Sequence, residues 1–236
     1  MKKKNILLLI VGCILLCCIT ISLIWYFVVK LPDIKERKQR EQQAKEYYEN
    51  KLKLYQEENL KYEDYEVDVA FLGDSLTDGY DLNKYYPQYL TANRGISGET
   101  TIGLEKRMQV SVYDLKPKIV VMLIGGNNLD TMFDNYENIL IGLKENLPDS
   151  KVVLLSLTAM GQDWGHKNKI ACFNNVKIKL LAEKYNYEFV DLYTQLFNIE
   201  TNELYAEYTT DGAHFTSKGY ETVTSIISPI LDELLE

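Results

Sequence analysis

From Val67 to the C-terminus, short apolar runs alternate with amphipathic stretches, and this pattern restricts the fold more than any other feature of the chain. Val67–Leu72, Ile119–Ile124, Val152–Leu157 and Tyr187–Val190 read as buried strands, with a weaker strand near Leu90–Asn93. Helical periodicity falls between them at Leu82–Tyr89, Thr101–Val110, Met132–Asn146 and Ile170–Tyr185. A last helix runs from Ser217 towards the end of the chain. Apolar strands separated by helices imply a mostly parallel sheet covered on both faces, because such strands have no face to offer water. The expected class is α/β, with three layers and five strands, and a segment of about 170 residues suffices for one such core.

The first 66 residues read differently. Ile6 to Val29 contain no charged side chain, and 24 such residues form roughly 36 Å of helix, enough to cross a bilayer. Lys2, Lys3 and Lys4 precede the run, and Trp25, Tyr26 and Phe27 sit near its far end, where aromatic rings favour the membrane interface. The run is longer than a signal-peptide core and no small-x-small cleavage site closes it. Residues 1–30 are therefore read as an uncleaved single-span anchor. Its rivals are lipidation at Cys13, after the box-like Ile10-Val11-Gly12-Cys13, and a signal peptide cut elsewhere. Counting flanking Lys and Arg would place the large domain inside the cell. A short Lys-rich start before a long apolar run resembles an export signal instead, so the domain is expected outside.

Residues 31–66 form a charged stalk. From Asp33 to Glu66, 18 of 34 residues are charged, with neither Gly nor Pro. Glu36/Arg40, Glu41/Lys45, Glu49/Lys53 and Glu57/Lys61 are spaced to support a helix. Leu52, Tyr55, Leu60 and Tyr62 make only a thin apolar stripe. A solvated helical spacer of up to roughly 50 Å is preferred over a dimerising stalk, with its last turns packing on the domain.

Residues 67–236 carry the chemistry. Gly73-Asp74-Ser75-Leu76, Asn93–Gly98, Gly125-Gly126-Asn127-Asn128 and Asp211-Gly212-Ala213-His214 are each weak signals alone. Together they supply a nucleophile, oxyanion donors, and a base with its orienting carboxylate. Ser75, Gly98 and Asn127 all follow strands, and in open parallel sheets ligands bind beyond the strands' carboxyl ends. A serine after a strand is commonly a helix cap, and Asp-Gly is commonly a turn. All these ordinary explanations must hold at once to displace an active site. His166, in a polar stretch with Trp164, reads as a plain loop residue, and Cys172 as a small buried hydrophobe.

Composition excludes other classes. A net charge of −8 opposes nucleic-acid binding, which needs a basic face. The chain has two histidines, His166 and His214, and no Cys/His cluster with ligand spacing, so a structural zinc site is not expected; the serine chemistry that the four segments suggest calls for neither metal nor cofactor.

Phe71–Thr77 resembles block I of the GDSL, or SGNH, hydrolase superfamily; Asn93–Thr100 resembles block II, Gly125–Asn128 block III and Asp211–His214 block V. The resemblance covers nearly all of residues 67–236 and none of the anchor or stalk. It implies a flavodoxin-like sheet with Ser75 as nucleophile, His214 as general base and Asp211 orienting the imidazole. The oxyanion hole would comprise the Ser75 and Gly98 N–H groups and the Asn127 amide. Block III usually ends in Asp where this chain has Asn128, which implies altered loop hydrogen bonding without loss of catalysis; Asp74 is expected to brace its loop. The implied activity is serine esterase chemistry on small acyl groups, above all acetyl, carried by carbohydrate or cell-envelope polymers. Lysophospholipase, thioesterase and O-acyltransferase activities use the same triad, and a catalytically silent stalked binding protein is the non-enzyme alternative.

Overall fold

The computed structural model describes residues 3–236, and these fall into two compact units that divide between Asn50 and Lys51. Helix α1 spans Lys3–Trp25; a π-helical turn at Tyr26–Lys30 leads into α2, Leu31–Asn59. Among the described residues, one helix is long and apolar enough to cross a membrane. A signal sequence meets the same criterion of length and composition. Lys2, counted above for orientation, lies outside the described residues.

Ion pairs four residues apart line α2, but not all in the expected order. Glu36 pairs with Arg40, while Lys45 turns to Glu49 and Lys53 to Glu57. Each of these lysines has a glutamate four residues away on both sides, so two pairings compete at similar cost. Lys61 lies beyond the helix end at Asn59, where that spacing no longer brings side chains together.

The second unit begins 16 residues before Val67, for visible reasons. Tyr55 is buried, and its hydroxyl donates to the Gly95 carbonyl at 2.6 Å. Asn59 Nδ2 donates to Val110 O at 2.7 Å. Arg94, fully buried, is satisfied by the Glu58 carboxylate and by Asn59 Oδ1. The last turns of α2 thus supply partners for a guanidinium that the globular part buries. Among the described residues, every buried apolar side chain belongs to Lys51–Glu236. That unit carries its own core and meets the requirement for folding alone.

Its elements in order are β1 (Val69–Gly73), α3 (Ser75–Asp78), α4 (Leu82–Tyr85), β2 (Thr91–Gly95), α5 (Thr101–Lys106), β3 (Ile119–Leu123), α6 (Phe133–Asn146) and β4 (Lys151–Leu155). There follow α7 (Asn168–Tyr185), β5 (Glu188–Val190), α8 (Leu192–Leu196), the two-residue strands β6 (Phe197–Asn198) and β7 (Glu203–Leu204), and α9 (Ser217–Leu235). The first five strands form one parallel sheet in the order β2-β1-β3-β4-β5. Right-handed crossovers in this order put α5, α6 and α7 on one face and α4 and α9 on the other. The pairings α5 with α6, α6 with α7, and α4 with α9 agree.

Three local expectations differ from what forms. The helix expected over Leu82–Tyr89 stops at Tyr85, because Pro87 pushes Tyr86 out of helical geometry. The helix expected over Thr101–Val110 ends at Lys106, and a π-helical turn follows at Gln109–Tyr113. Cys172 is exposed, not buried, because Ala171 and Asn175 occupy the core-facing positions of that turn of α7.

Candidate active site

The sheet order reverses direction at β1: β2 lies on one side and β3 on the other. Chains leaving the carboxyl ends of β1 and β3 therefore diverge to opposite faces, opening a crevice between them. Ser75 leaves β1 directly, and Gly126 and Asn127 leave β3.

Ser75 is the first residue of α3. Asp74 caps that turn, its Oδ1 accepting the Leu76 N–H at 3.1 Å. From the far side, the Tyr220 hydroxyl of α9 donates to the Leu76 carbonyl at 3.0 Å. The nucleophile candidate is thus held on a turn fixed at both ends. Asp74 is buried, and desolvation pushes its carboxyl up to about 6.

His214 reaches this turn across 139 residues, with Nε2 3.0 Å from Ser75 Oγ and Nδ1 2.7 Å from Asp211 Oδ2. Asp211 Oδ1 accepts the backbone N–H groups of His214 at 2.8 Å and Ala213 at 3.0 Å. The His214 backbone N–H and then its ring hold the Asp211 carboxyl down at about 2, against an opposing effect of burial and with a smaller contribution from the Ala213 N–H. Both side chains remain about half exposed, at 51%, so solvent reaches the pair. Gly212 has φ +87, and a Cβ there would stand 2.1 Å from the Gly161 carbonyl. Only glycine fits this turn, which lets Asp211 and His214 face each other.

On the opposite side, Gly98 has φ +78 and open space around its missing Cβ. Its conformation, not crowding, demands glycine here. Asn127 Nδ2 donates to the Glu99 carbonyl at 2.9 Å; the amide's second hydrogen has no partner among the described residues. Asn128 binds Thr101 twice, Oδ1 accepting from the backbone N–H at 3.3 Å and Nδ2 donating to Oγ1 at 2.9 Å. An aspartate cannot make that second donation, so the Nδ2–Oγ1 bond in this direction belongs to the asparagine.

The sequence reading missed the support beneath this loop. Arg107 is buried and donates to Glu99 Oε2 at 2.9 Å, to the carbonyls of Arg94 and Gly73 at 3.0 Å each, and to Ser111 Oγ at 2.9 Å. One guanidinium therefore ties the end of β1, the end of β2 and the Gly98-Glu99 loop together. The signal was present: Leu104, Arg107, Met108, Ser111 and Val112 share one helical face at i, i+3, i+4, i+7 and i+8. A charge on an otherwise core-facing stripe needs buried partners.

A cavity of about 390 Å³ opens above Ser75 and His214, walled by Leu76, Leu123, Leu157, Met160 and Trp164. Gly126, Asn127 and Lys167 are shared with a second groove of about 510 Å³ that His166 also lines. His166 bonds the Asp163 carbonyl through Nδ1 at 2.8 Å and is not among the residues lining the cavity above Ser75. Among the described residues, no group of three or more His, Cys, Asp or Glu side chains is arranged to hold a metal ion. The arrangement joins a hydroxyl to an imidazole and a carboxylate, facing backbone and amide N–H groups across an apolar chamber. Such a site can deliver an alkoxide to a carbonyl and receive the oxyanion that forms.

A family-level sequence profile described as the GDSL-like lipase/acylhydrolase family matches residues 71–222. No curated protein matches the chain. Among solved structures, a GDSL-like lipase from Bacteroides thetaiotaomicron superposes with a TM-score of 0.68 at 26% identity, over 77% of this chain and 97% of that one. An acetylxylan esterase from Geobacillus stearothermophilus shares the fold with a TM-score of 0.59 at 21% identity, covering 71% and 95% of the respective chains.

Proposed function

Since this chain belongs to the GDSL-like lipase/acylhydrolase family and is an ester-hydrolysing enzyme, we propose that it works through an acyl-enzyme formed on Ser75. The relay from Ser75 Oγ through His214 to Asp211, at 3.0 and 2.7 Å, carries this reading. As Ser75 Oγ attacks the acyl carbon, His214 Nε2 takes the hydroxyl proton, and Asp211 holds Nδ1–H and stabilises the imidazolium. The N–H groups of Ser75 and Gly98 and the free hydrogen of the Asn127 amide receive the oxyanion. His214 then protonates the departing alcohol, and water activated by the same imidazole releases the acid. Losing one oxyanion donor costs about 3–4 kcal/mol of transition-state stabilisation.

Acetyl esters of carbohydrate or cell-envelope polymers are the substrates this reading favours, supported by the fold shared with an acetylxylan esterase. An acetyl group fills a small part of the 390 Å³ cavity, which leaves room for the alcohol side of the ester. The apolar wall from Leu76 to Trp164 favours a second reading, a longer acyl chain as in lysophospholipase or thioesterase chemistry. O-acyltransfer uses the same steps with a sugar hydroxyl in place of water. The deciding experiment assays Lys51–Glu236 side by side on acetylated glycans, lysophospholipids and acyl thioesters, with product analysis for transfer. Release of free acetate from glycans, lost in Ser75→Ala, is expected; turnover of only the lipid or thioester panel would overturn the acetyl assignment.

A further inference from the structure

Helix α7 has two apolar faces. Ala171, Ile178, Leu181 and Ala182 face the core, while Phe173, Val176 and Leu180 point outward, 68%, 59% and 58% exposed. Positions i, i+3 and i+7 lie on one side of a helix, so these three form a continuous stripe of about 10 Å. Single exposed hydrophobes are ordinary, but an ordered stripe on the outermost face is not.

Charge distinguishes this stripe from a patch awaiting any partner. The helix carries four lysines, Lys169, Lys177, Lys179 and Lys184, against one glutamate, Glu183. The whole chain has a net charge of −8. On a helical wheel, Lys169 falls within the stripe, Lys177 and Lys184 along one flank, and Lys179 with Glu183 along the other. Lys184 pairs with Glu137, whereas Lys169, Lys177 and Lys179 make no ion pair among the described residues. Basic side chains bordering an apolar helical face are what an anionic lipid surface selects: the stripe enters the acyl boundary and the lysines meet the headgroups. A second copy fits poorly, because a two-fold contact centred on α7 would set lysine against lysine.

We propose that the outer face of α7 docks the catalytic unit flat against an anionic lipid surface. Ile170, on the same helix, lines the groove that shares Asn127 and Lys167 with the catalytic cavity. Ile170 lies on the flank of the stripe, so docking by this face sets that groove at the edge of the contact. The acidic remainder of the unit is repelled by the same surface, so charge sets the orientation as well as the affinity. The inference does not depend on the catalytic roles assigned above, nor on the N-terminal helix.

The test uses Lys51–Glu236, whose sole cysteine, Cys172, is exposed on α7 and accepts an environment-sensitive fluorophore. Vesicle flotation of unlabelled protein accompanies the fluorescence. Binding and a blue shift are expected with phosphatidylcholine vesicles containing phosphatidylglycerol, and not with phosphatidylcholine alone. Phe173→Ser/Val176→Ser/Leu180→Ser should abolish binding while hydrolysis of a water-soluble ester is unchanged. Should that variant fail to fold, Lys169→Glu/Lys179→Glu, which alters only exposed groups, should weaken partitioning by about tenfold or more. Absence of binding to either vesicle, or equal binding to both, would overturn the proposal. So would a solution dimer, or a stable complex with a protein partner, that the serine variant dissolves.

Discussion

At the scale of single residues, the candidate site depends on two carboxylates treated in opposite ways. Asp211 accepts three hydrogen bonds around a half-exposed corner and stays ionised down to about pH 2. Asp74, one residue from the nucleophile candidate, is buried and its carboxyl rises to about 6. A carboxyl raised on folding binds its proton more tightly in the folded state. Its contribution is therefore fully present below the unfolded value and is lost as pH climbs through about 6. A shift of that size is worth about 3 kcal/mol. Asp74→Asn keeps an oxygen for the Leu76 N–H and removes the titration. Urea unfolding from pH 4 to pH 7 should show wild-type stability declining with pH and the variant nearly flat across the same range. Parallel curves would mean that Asp74 titrates normally. All five site candidates were legible as residues, since their types and order survive without coordinates. Of the Arg107–Glu99 support, the sequence shows a charge on a core-facing stripe but not its partners, because the four acceptors come together only in the fold.

Among the elements, strands β1, β3 and β4 were legible because a buried parallel strand is apolar along nearly all of its length, whereas β2, Thr-Ala-Asn-Arg-Gly, showed only weakly; all five were located to within two residues at either end. The hairpin of β6 and β7 was not, since two-residue strands are too short to show a period. Pro87, which ends α4, was available in the sequence and outweighs the periodicity around it. The stalk boundary depends on information of another kind. Nothing local marks Lys51; the reason lies in Arg94, which needs Asn59 and Glu58, 35 and 36 residues before it. Removing partners from a buried charge costs about 3–5 kcal/mol, and removing the Tyr55 ring costs more besides. A fragment starting at Val67 should therefore unfold at markedly lower urea than Lys51–Glu236, in a direct comparison of midpoints. Equal midpoints would show that the last turns of α2 are dispensable to the fold.

For the whole molecule, we read α1 as a single-span membrane anchor that holds the catalytic unit at the outer side of the cell membrane. The support is the 24-residue uncharged run Ile6–Val29, which extends through α1 into the π-helical turn after it, and a helix long and apolar enough to cross. A reporter active only outside the cytoplasm, fused after Glu236, should be active; a stable but silent fusion would reverse the orientation. The central claim is the covalent role of Ser75, and a fluorophosphonate probe with peptide mapping tests it most directly, because it reports an attacking serine without needing the natural substrate. In Lys51–Glu236, one adduct on the peptide containing Ser75 is predicted, absent in Ser75→Ala and greatly slowed in His214→Ala. Equal labelling of wild type and Ser75→Ala, or an adduct mapped to another residue, would contradict it.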